Sequence, residues 1–294
     1  MTGPFRTHQP QHKAIPTQNN IAPHRPRATL PPLPVPDRAP QTTRPFAGKV
    51  AIVTGAGGGI GRALARGFAA DGAQVLACGR RPDTLTETAR TAPDAIHCLA
   101  GDLADLQTVD RLFAEAARRF GRVDILINNA AVYPKQPFLT MDRATWQRSM
   151  NVNVLALAEC CRQALPFMQR QHHGRILNLG SFAWRAALAN GTDYAASKAA
   201  VMAFTRALAA EIDRNQYPDI LVNEFIPGIV KTGMSDEGDD AEHVYPGARR
   251  VVLLPPGGPH GRTFLRGELH QDHVPSLLGR ARRAVQRLLG GKPQ

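Results

Sequence analysis

A run of glycines near residue 57 has the composition of a loop that binds phosphate. The segment Thr54-Gly55-Ala56-Gly57-Gly58-Gly59-Ile60-Gly61 follows a short apolar run and precedes a helical pattern. Glycine permits the tight turn, the close approach of backbone to a pyrophosphate and the close helix–strand packing that such a loop requires. Because amide groups at a helix N-terminus attract anions, we predict that Gly55, Gly59, Ile60 and Gly61 bind a dinucleotide.

The end of the next apolar run indicates which dinucleotide binds. The run ends at Cys78-Gly79-Arg80-Arg81, where an acidic residue would bind the adenosine 2′-hydroxyl of NAD(H). No acid is present there, and a guanidinium group would instead pair with the 2′-phosphate of NADP(H). The sequence favours NADP(H), with Arg80 ahead of Arg81 as the phosphate ligand. NAD(H) stays an alternative, because both arginines could equally begin a solvated helix.

Two further polar segments follow apolar runs. Asp102-Leu103 comes after the third run, and Asn128-Asn129-Ala130-Ala131 closes the fourth. Ligands of open α/β sheets bind at the carboxyl ends of the strands. We therefore expect Asp102, Leu103, Asn129 and Ala130 to contact the cofactor.

Four residues farther along the chain are candidates for catalysis: Asn153, Ser181, Tyr194 and Lys198. The tyrosine and the lysine are four residues apart, a spacing that puts both side chains on one face of a helix. A Tyr-x-x-x-Lys pair alone is weak evidence, so its meaning depends on the elements around it.

Short apolar runs alternate with helical periodicity from Gly48 onward, which is typical of βαβ units and a parallel sheet. We predict a three-layer Rossmann fold of the α/β class, a doubly wound, mostly parallel sheet of about seven strands with helices on both faces. The predicted strands are Val50–Thr54, Gln74–Cys78, His97–Leu99, Ile125–Asn128, Arg175–Leu179, Ile220–Ile226 and Arg262–Leu265. The predicted helices are Arg62–Ala70, Leu106–Phe120, Trp146–Gln171 and Ala195–Arg214.

We expect this catalytic domain to occupy residues 46–275, between two basic segments. Residues 1–45 hold 11 of the 24 prolines and few apolar residues, which predicts a disordered tail. Residues 276–294 form a basic C-terminal segment whose stretch 276–289 places apolar side chains opposite four arginines. That stretch is either a helix resting on the domain or a contact for an anionic membrane or a partner.

The charge balance argues against specific recognition of nucleic acid. Each basic segment carries +5 of the net charge of +12, which leaves +2 for the domain. A nearly neutral body without a base-reading motif offers at most nonspecific attraction to phosphate. No apolar run approaches the roughly 18 residues needed to span a membrane. Four cysteines without disulfide or zinc spacing favour a reducing compartment, so we expect a cytoplasmic protein without a bound metal.

Taken together, the motifs resemble those of the short-chain dehydrogenase/reductase family over residues 46–270. The segments TGAGGGIG, NNAA and YAASK are similar to the family's TGxxxGxG, NNAG and YxxxK motifs. Asn153 and Ser181 match the family's catalytic positions, and residues 227–232 resemble its PG-x-x-x-T segment. The resemblance implies that the cofactor site also includes Pro227, Gly228, Ile229 and Thr232.

The resemblance implies an oxidoreductase that transfers a hydride between NADP(H) and a carbonyl or secondary alcohol. Tyr194 would donate a proton to the carbonyl oxygen, for which its pKa would have to fall from about 10 to near neutrality. Lys198 would supply part of the field that lowers this pKa and would bind the nicotinamide ribose. Ser181 would hold the substrate oxygen, and Asn153 would hold a water that links Lys198 to solvent.

The C-terminal part departs from the commonest pattern of the family. After Thr232 the sequence shows neither the helices that cover substrate in many relatives nor a VDGG-like ending. Residues 257–271 instead resemble the closing strand of carbonyl-reductase-like members. We expect an open cleft or a short lid that orders on ligand binding. Apolar and aromatic wall candidates favour an aliphatic or aromatic carbonyl substrate, and these are Tyr133, Pro134, Phe182, Trp184, Leu188 and Ile229.

The family often pairs subunits through its long helices, so we expect a homodimer or a homotetramer. An NAD-dependent alcohol dehydrogenase of the same family is the alternative enzyme. A sensor that binds NADP(H) without catalysis is a third hypothesis, which the intact pair of Tyr194 and Lys198 disfavours.

Overall fold

Residues 44–186 and 188–271 are described in a computed structural model, and one eight-stranded sheet organises them. The strands are β1 (Val50–Thr54), β2 (Gln74–Gly79), β3 (Ile96–Ala100), β4 (Ile125–Asn128), β5 (Gly174–Leu179), β6 (Ile220–Ile226), β7 (Thr263–Leu265) and β8 (Glu268–Leu269). Their order in the sheet is β3-β2-β1-β4-β5-β6-β7-β8, and only the β7–β8 pair is antiparallel among the strands of the described residues. The predicted doubly wound, mostly parallel sheet is confirmed.

Seven α-helices in the described residues connect these strands. They are α1 (Gly59–Ala70), α2 (Pro82–Ala89), α3 (Leu106–Phe120), α4 (Arg143–Met150), α5 (Ala156–Gln171), α6 (Thr192–Glu211) and α7 (Val244–Val252). Two predicted segments lie outside the residues that the structure describes: residues 1–43 and the amphipathic stretch 276–289. None of the described helices is long and apolar enough to cross a membrane.

The prediction of one helix over Trp146–Gln171 is wrong. The segment contains the end of α4, a π-helical turn at Asn151–Leu155, and α5. A π turn inserts one extra residue without ending the helical path, so apolar spacing on either side still looks continuous. Such turns recur at functional sites, and this one carries Asn153.

Three short elements were not predicted: α2, α7 and β8. Both helices begin near a proline, Pro82 in α2 and Pro246 in α7, which a helix tolerates in its first turn. α7 lies between β6 and β7, where the sequence showed no helix, and it packs on α1 rather than over the cleft described below. Tyr245 of α7 lies against Gly67, and its hydroxyl donates to Asp71 Oδ2 at 2.6 Å.

Helices cover both faces of the sheet, and this explains why β1, β4, β5 and β6 are buried along their whole length. In β1, Ala51 and Val53 face one cluster, which also contains residues of α1 and α7. Ile52 faces the opposite cluster, formed with α3, α5 and α6. Alternate side chains of one strand therefore enter two separate cores, as expected of a parallel sheet between helical layers.

The order β3-β2-β1-β4 reverses the direction of winding between β1 and β4. Chains leaving the two strands turn to opposite faces of the sheet, which opens a crevice beyond their carboxyl ends. The glycine-rich loop leaves β1, and Asn129 follows β4 at this same point.

Phe68 on α1 provides a test of the core. Its ring is fully buried and contacts the rings of Phe46 and Tyr245 at centroid distances of 5.3 and 5.2 Å. We expect Phe68→Ala to lower the free energy of unfolding by about 3–5 kcal/mol in denaturant titrations, through lost burial and an unfilled cavity. The matched control is Phe138→Ala, whose side chain is 61% exposed and whose loss should cost under about 1 kcal/mol. Equal effects of the two changes would contradict this packing.

Candidate active site

A cleft of about 440 Å³ opens at the carboxyl ends of β1, β2, β4 and β5. Its lining includes fourteen of the residues that the sequence analysis assigned to the site: Gly55, Gly59, Ile60, Gly61, Arg80, Arg81, Asp102, Leu103, Asn129, Ala130, Tyr194, Lys198, Pro227 and Thr232. Four other predicted residues are not part of the lining: Asn153, Ser181, Gly228 and Ile229. Ile229 is 62% exposed, and Gly180 rather than Ser181 forms the adjoining wall.

The glycine-rich loop has a backbone that side chains would obstruct. Gly55 and Gly59 have φ angles of 65° and 49°, in the left-handed region that favours glycine. A Cβ atom at Gly61 would overlap the carbonyl oxygen of Gly55 and would lie 2.5 Å from the Asn129 amide nitrogen. The loop is therefore wrapped tightly around the start of α1, and five of its glycine residues line the cleft.

Hydrogen bonds join the ends of β1 and β4 beneath this loop. Thr54 Oγ1 accepts from the backbone amides of Asn129 and Ala130, each at 3.0 Å. The Asn129 side chain donates to the carbonyl oxygens of Thr54 and Gly55 at 2.9 and 3.2 Å. Asn129 thus holds the loop in position as well as lining the cleft.

Several guanidinium groups surround the end of the cleft near β2 and β3. Arg80 and Arg81 are exposed at its rim, and Arg148 of α4 donates to Asp102 Oδ2 at 2.7 Å. Burial opposes ionisation of Asp102, but the Ala104 amide and the Arg148 guanidinium together hold the pKa of Asp102 below its usual value. Arginines outnumber carboxylates here, so this end of the cleft favours an anionic group.

Tyr194 lies in the first turn of α6, and its ring stacks on that of Tyr133 with centroids 4.7 Å apart and planes inclined by 23°. Burial raises the pKa of Tyr194 above its usual value, a hydrogen bond with Ser181 opposes the rise, and the Tyr133 phenol adds to it. The pKa of Tyr194 therefore does not fall toward neutrality as the sequence analysis expected, because burial in the protein alone disfavours the phenolate. The Tyr194 phenol is therefore held in its protonated form.

Lys198, one turn after Tyr194, is buried in the floor of the cleft. Its Nζ atom donates to the carbonyl oxygen of Leu179 at 2.7 Å and lies 5.6 Å from the centroid of the Tyr194 ring. Burial lowers the pKa of Lys198 to about 8, and the charge of Glu224 opposes that shift. The ammonium form is thus only modestly favoured at neutral pH.

Asn153 forms hydrogen bonds with the backbone of Val132, which lines the cleft, and with Ser197 of α6. Its Nδ2 atom donates to the Val132 carbonyl at 3.0 Å and to Ser197 Oγ at 2.9 Å, and its Oδ1 atom accepts from the Val132 amide at 2.8 Å. Ser197 Oγ in turn donates to the Tyr194 carbonyl at 2.7 Å. The side chain thereby joins the segment after β4 to the first turn of α6. The water-holding role expected of Asn153 stays a prediction.

None of the six wall candidates is among the residues that line the cleft, although Phe182 and Trp184 follow Ser181 within three residues. Phe182 contacts His270, after β8, with ring centroids 5.2 Å apart, and the Trp184 indole nitrogen is buried without a hydrogen-bond partner among the described residues. Leu188 is 43% exposed. The apolar substrate wall expected from these residues therefore stays a prediction.

Several lining residues escaped the sequence analysis: Gly57, Gly58, Gly79, Thr84, Arg148, Val152, Leu179, Gly180 and Met234. Gly57 and Gly58 lie within the loop that the motif already marked. No local sequence pattern predicted Arg148 as a site residue, because only the packing of α4 brings it to Asp102. Within the described ranges, no cluster of three or more His, Cys, Asp or Glu side chains could hold a metal ion.

Comparison with known proteins identifies the class to which this fold and cleft belong. The family model described as short chain dehydrogenase matches residues 49–243, more than half of the chain. The chain belongs to the short-chain dehydrogenase/reductase family, whose members are oxidoreductases that bind NAD(P)(H). The matched region ends before β7, so it leaves the resemblance of residues 257–271 to carbonyl-reductase-like members as a prediction.

Individual relatives carry several different names. The short-chain reductase protein NovJ of Streptomyces niveus is 40% identical over 64% of this chain and 71% of its own length. The 3-oxoacyl-[acyl-carrier-protein] reductase FabG of Thermotoga maritima is 31% identical over 65% of this chain and 77% of its own. A crystal structure described as a short-chain dehydrogenase/reductase from Burkholderia xenovorans superposes with a TM-score of 0.67 at 29% identity, covering 75% of this chain and 95% of its own.

Two glycines of the loop provide a matched test of its geometry. We expect Gly61→Ala to lower the free energy of unfolding by about 1–3 kcal/mol, because the new methyl group would overlap the Gly55 carbonyl. Gly58→Ala should change it by less than about 1 kcal/mol, since a Cβ atom there meets nothing within 4 Å. Denaturant titrations of the two variants without nucleotide measure the difference. An unchanged stability of Gly61→Ala would show that the loop has a looser conformation.

Proposed function

We propose that this protein is an NADP(H)-dependent reductase that interconverts a carbonyl group and a secondary alcohol. The observation that carries the proposal is one continuous cleft lined by the glycine loop, by the arginines after β2, and by Tyr194 and Lys198. A nucleotide extended along the loop would have its adenosine at the arginines and its nicotinamide near the phenol.

The residues present fit NADP(H). A Cβ atom at Gly55 or Gly61 would overlap Asn129 or the loop itself, so only glycine permits the tight turn that brings this backbone close to a pyrophosphate. Arg80 and Arg81 stand where the 2′-phosphate would lie, and no acidic residue occupies the end of β2. Lys198 Nζ is positioned to bind the nicotinamide ribose. When bound, the reduced nicotinamide supplies the hydride.

The chain's own groups would then handle the proton. A phenol held in its protonated form by burial can donate to the carbonyl oxygen as that oxygen becomes negative. The nearby Lys198 ammonium stabilises the phenolate that results. Ser181, which hydrogen-bonds Tyr194, would hold the same substrate oxygen, and Asn153 fixes the turn of α6 on which Tyr194 lies.

The substrate we propose is an aliphatic or aromatic carbonyl compound. Tyr133 stacks on the Tyr194 ring, and Phe182 and Trp184 follow Ser181 within three residues. Apolar side chains beside the phenol would favour an uncharged body next to the carbonyl. Two relatives named as reductases, NovJ and FabG, agree with the reductive direction. We further propose that the enzyme is a cytoplasmic homodimer or homotetramer.

Replacement of the proton donor tests the reaction. We expect Tyr194→Phe to lower NADPH-dependent reduction by at least about 100-fold on a panel of aliphatic and aromatic ketones and aldehydes, because the acid is lost. The Kd for NADPH, measured by fluorescence titration, should change less than about threefold. The matched control is Tyr217→Phe, whose ring contacts His172 away from the cleft and whose loss of a hydroxyl should leave turnover unchanged.

Other results of that assay would contradict parts of the proposal. Turnover with NADH in preference to NADPH would establish the NAD-dependent alternative. Tight NADPH binding by the wild type and by Tyr194→Phe, without turnover of any carbonyl or alcohol, would favour the sensor.

The cofactor preference is tested at Arg80. We expect Arg80→Ala to raise the Kd for NADPH about tenfold and that for NADH less than twofold, because only NADPH carries the 2′-phosphate. Arg90→Ala is the control, since this exposed arginine pairs with Glu87 on α2 outside the cleft. If Arg80→Ala raised the Kd values for NADPH and NADH equally, a contact between Arg80 and the 2′-phosphate would be contradicted.

A further inference from the structure

Glu224 is a buried acid that the proposed reaction does not use. It lies in the middle of β6 and is 2% exposed. Its carboxylate lies so close to Gly180, the residue before Ser181, that a Cβ atom at position 180 would overlap Oε1. Because Gly180 lines the cleft, the carboxylate lies directly beneath the floor of the site.

The peptide between Leu179 and Gly180 connects this acid to the buried lysine. Lys198 Nζ donates to the Leu179 carbonyl, while the Glu224 carboxyl group lies against Gly180 at the other end of the same peptide. The negative charge of Glu224 favours the ammonium form of Lys198 and partly offsets the effect of burial. Without that charge, burial alone would determine the protonation of the lysine.

Thr263 of β7 fixes the position of the Glu224 carboxyl group. Thr263 Oγ1 of β7 donates to Glu224 Oε2 at 2.7 Å, and a carboxylate accepts such a bond more strongly than a carboxylic acid. Three other titratable groups belong to this part of the site: Tyr194, whose ring centroid lies 5.6 Å from Lys198 Nζ, Tyr133 stacked on Tyr194, and His270, which contacts Phe182. All three are present whatever residue occupies position 224.

We propose that Glu224 is a positioning residue that keeps Lys198 in its charged form inside the cleft and thereby extends the reaction to higher pH. The effect on turnover rests on the proposed function, since it requires that the Lys198 ammonium assist Tyr194. The effect on the protonation of Lys198 does not depend on turnover, and it can be measured separately.

The direction of the pH effect follows from the charge. Reduction should fall as pH rises through the pKa of Lys198, about 8 in the wild type. Glu224→Gln is nearly isosteric but removes the negative charge, so the fall should occur at a lower pH. A displacement of about one pH unit would lower the rate at pH 8 roughly fivefold and leave the rate at pH 6 nearly unchanged.

The first experiment is the pH profile of kcat/KM for NADPH-dependent reduction, from pH 6 to 10, in the wild type and Glu224→Gln. Glu268→Gln is the matched control, because this exposed glutamate of β8 pairs with Arg250 on the surface. We expect the alkaline fall to move in Glu224→Gln alone. Superimposable profiles of all three proteins, or an equal loss of rate at every pH, would overturn the proposal.

The second experiment needs no turnover. Competitive acetylation of Lys198 with acetic anhydride, followed by peptide mass spectrometry across pH, measures how its protonation changes in the same three proteins. We expect Lys198 of Glu224→Gln to become reactive at lower pH, and identical curves would overturn the inference even if the protein reduces no carbonyl tested. If Glu224→Gln does not fold, Thr263→Val replaces it, with a smaller shift expected in the same direction and no shift overturning the inference.

Discussion

The hydrogen bonds between the ends of β1 and β4 are the constraint on which the site depends. Thr54 and Asn129 hold the glycine loop against the segment that continues to Val132, and Asn153 holds that segment to the first turn of α6. Phosphate-binding backbone and candidate proton donor are thus joined by a short series of hydrogen bonds through the crevice where the winding reverses.

Beneath the hydrogen bonds that connect β1, β4 and α6, the buried side chains of the sheet are more polar than is usual for parallel strands. Asn128 donates to Asn178 at 2.9 Å, Asn178 donates to Thr205 at 2.9 Å, and Glu224 follows on the next strand. Buried amides and charges cost stability unless they are hydrogen-bonded, so this layer is favourable only when its geometry is kept. The protein therefore accepts a structural cost near the cleft in return for a fixed arrangement of Lys198 and its neighbours.

The sequence predicted what depends on local chemistry and periodicity. The loop at residues 54–61, six of the strands at nearly their full extent, and the one-turn spacing of Tyr194 and Lys198 were all predictable, because each is a short-range pattern. The π turn at Asn151–Leu155 was not, since an extra residue leaves the apolar spacing almost intact. The raised pKa of Tyr194 and the place of Glu224 arise from burial by segments distant in the chain, which no local pattern reports.

The chain contains two tryptophans, and both lie close to the cleft. Trp146 shares α4 with the cleft residue Arg148, and Trp184 follows Ser181 by three residues, with a buried indole nitrogen. Indole emission overlaps the absorption of reduced nicotinamide, so the protein has natural energy donors in the elements that form the site. Binding of a reduced nicotinamide nucleotide can therefore be followed optically in the unlabelled protein.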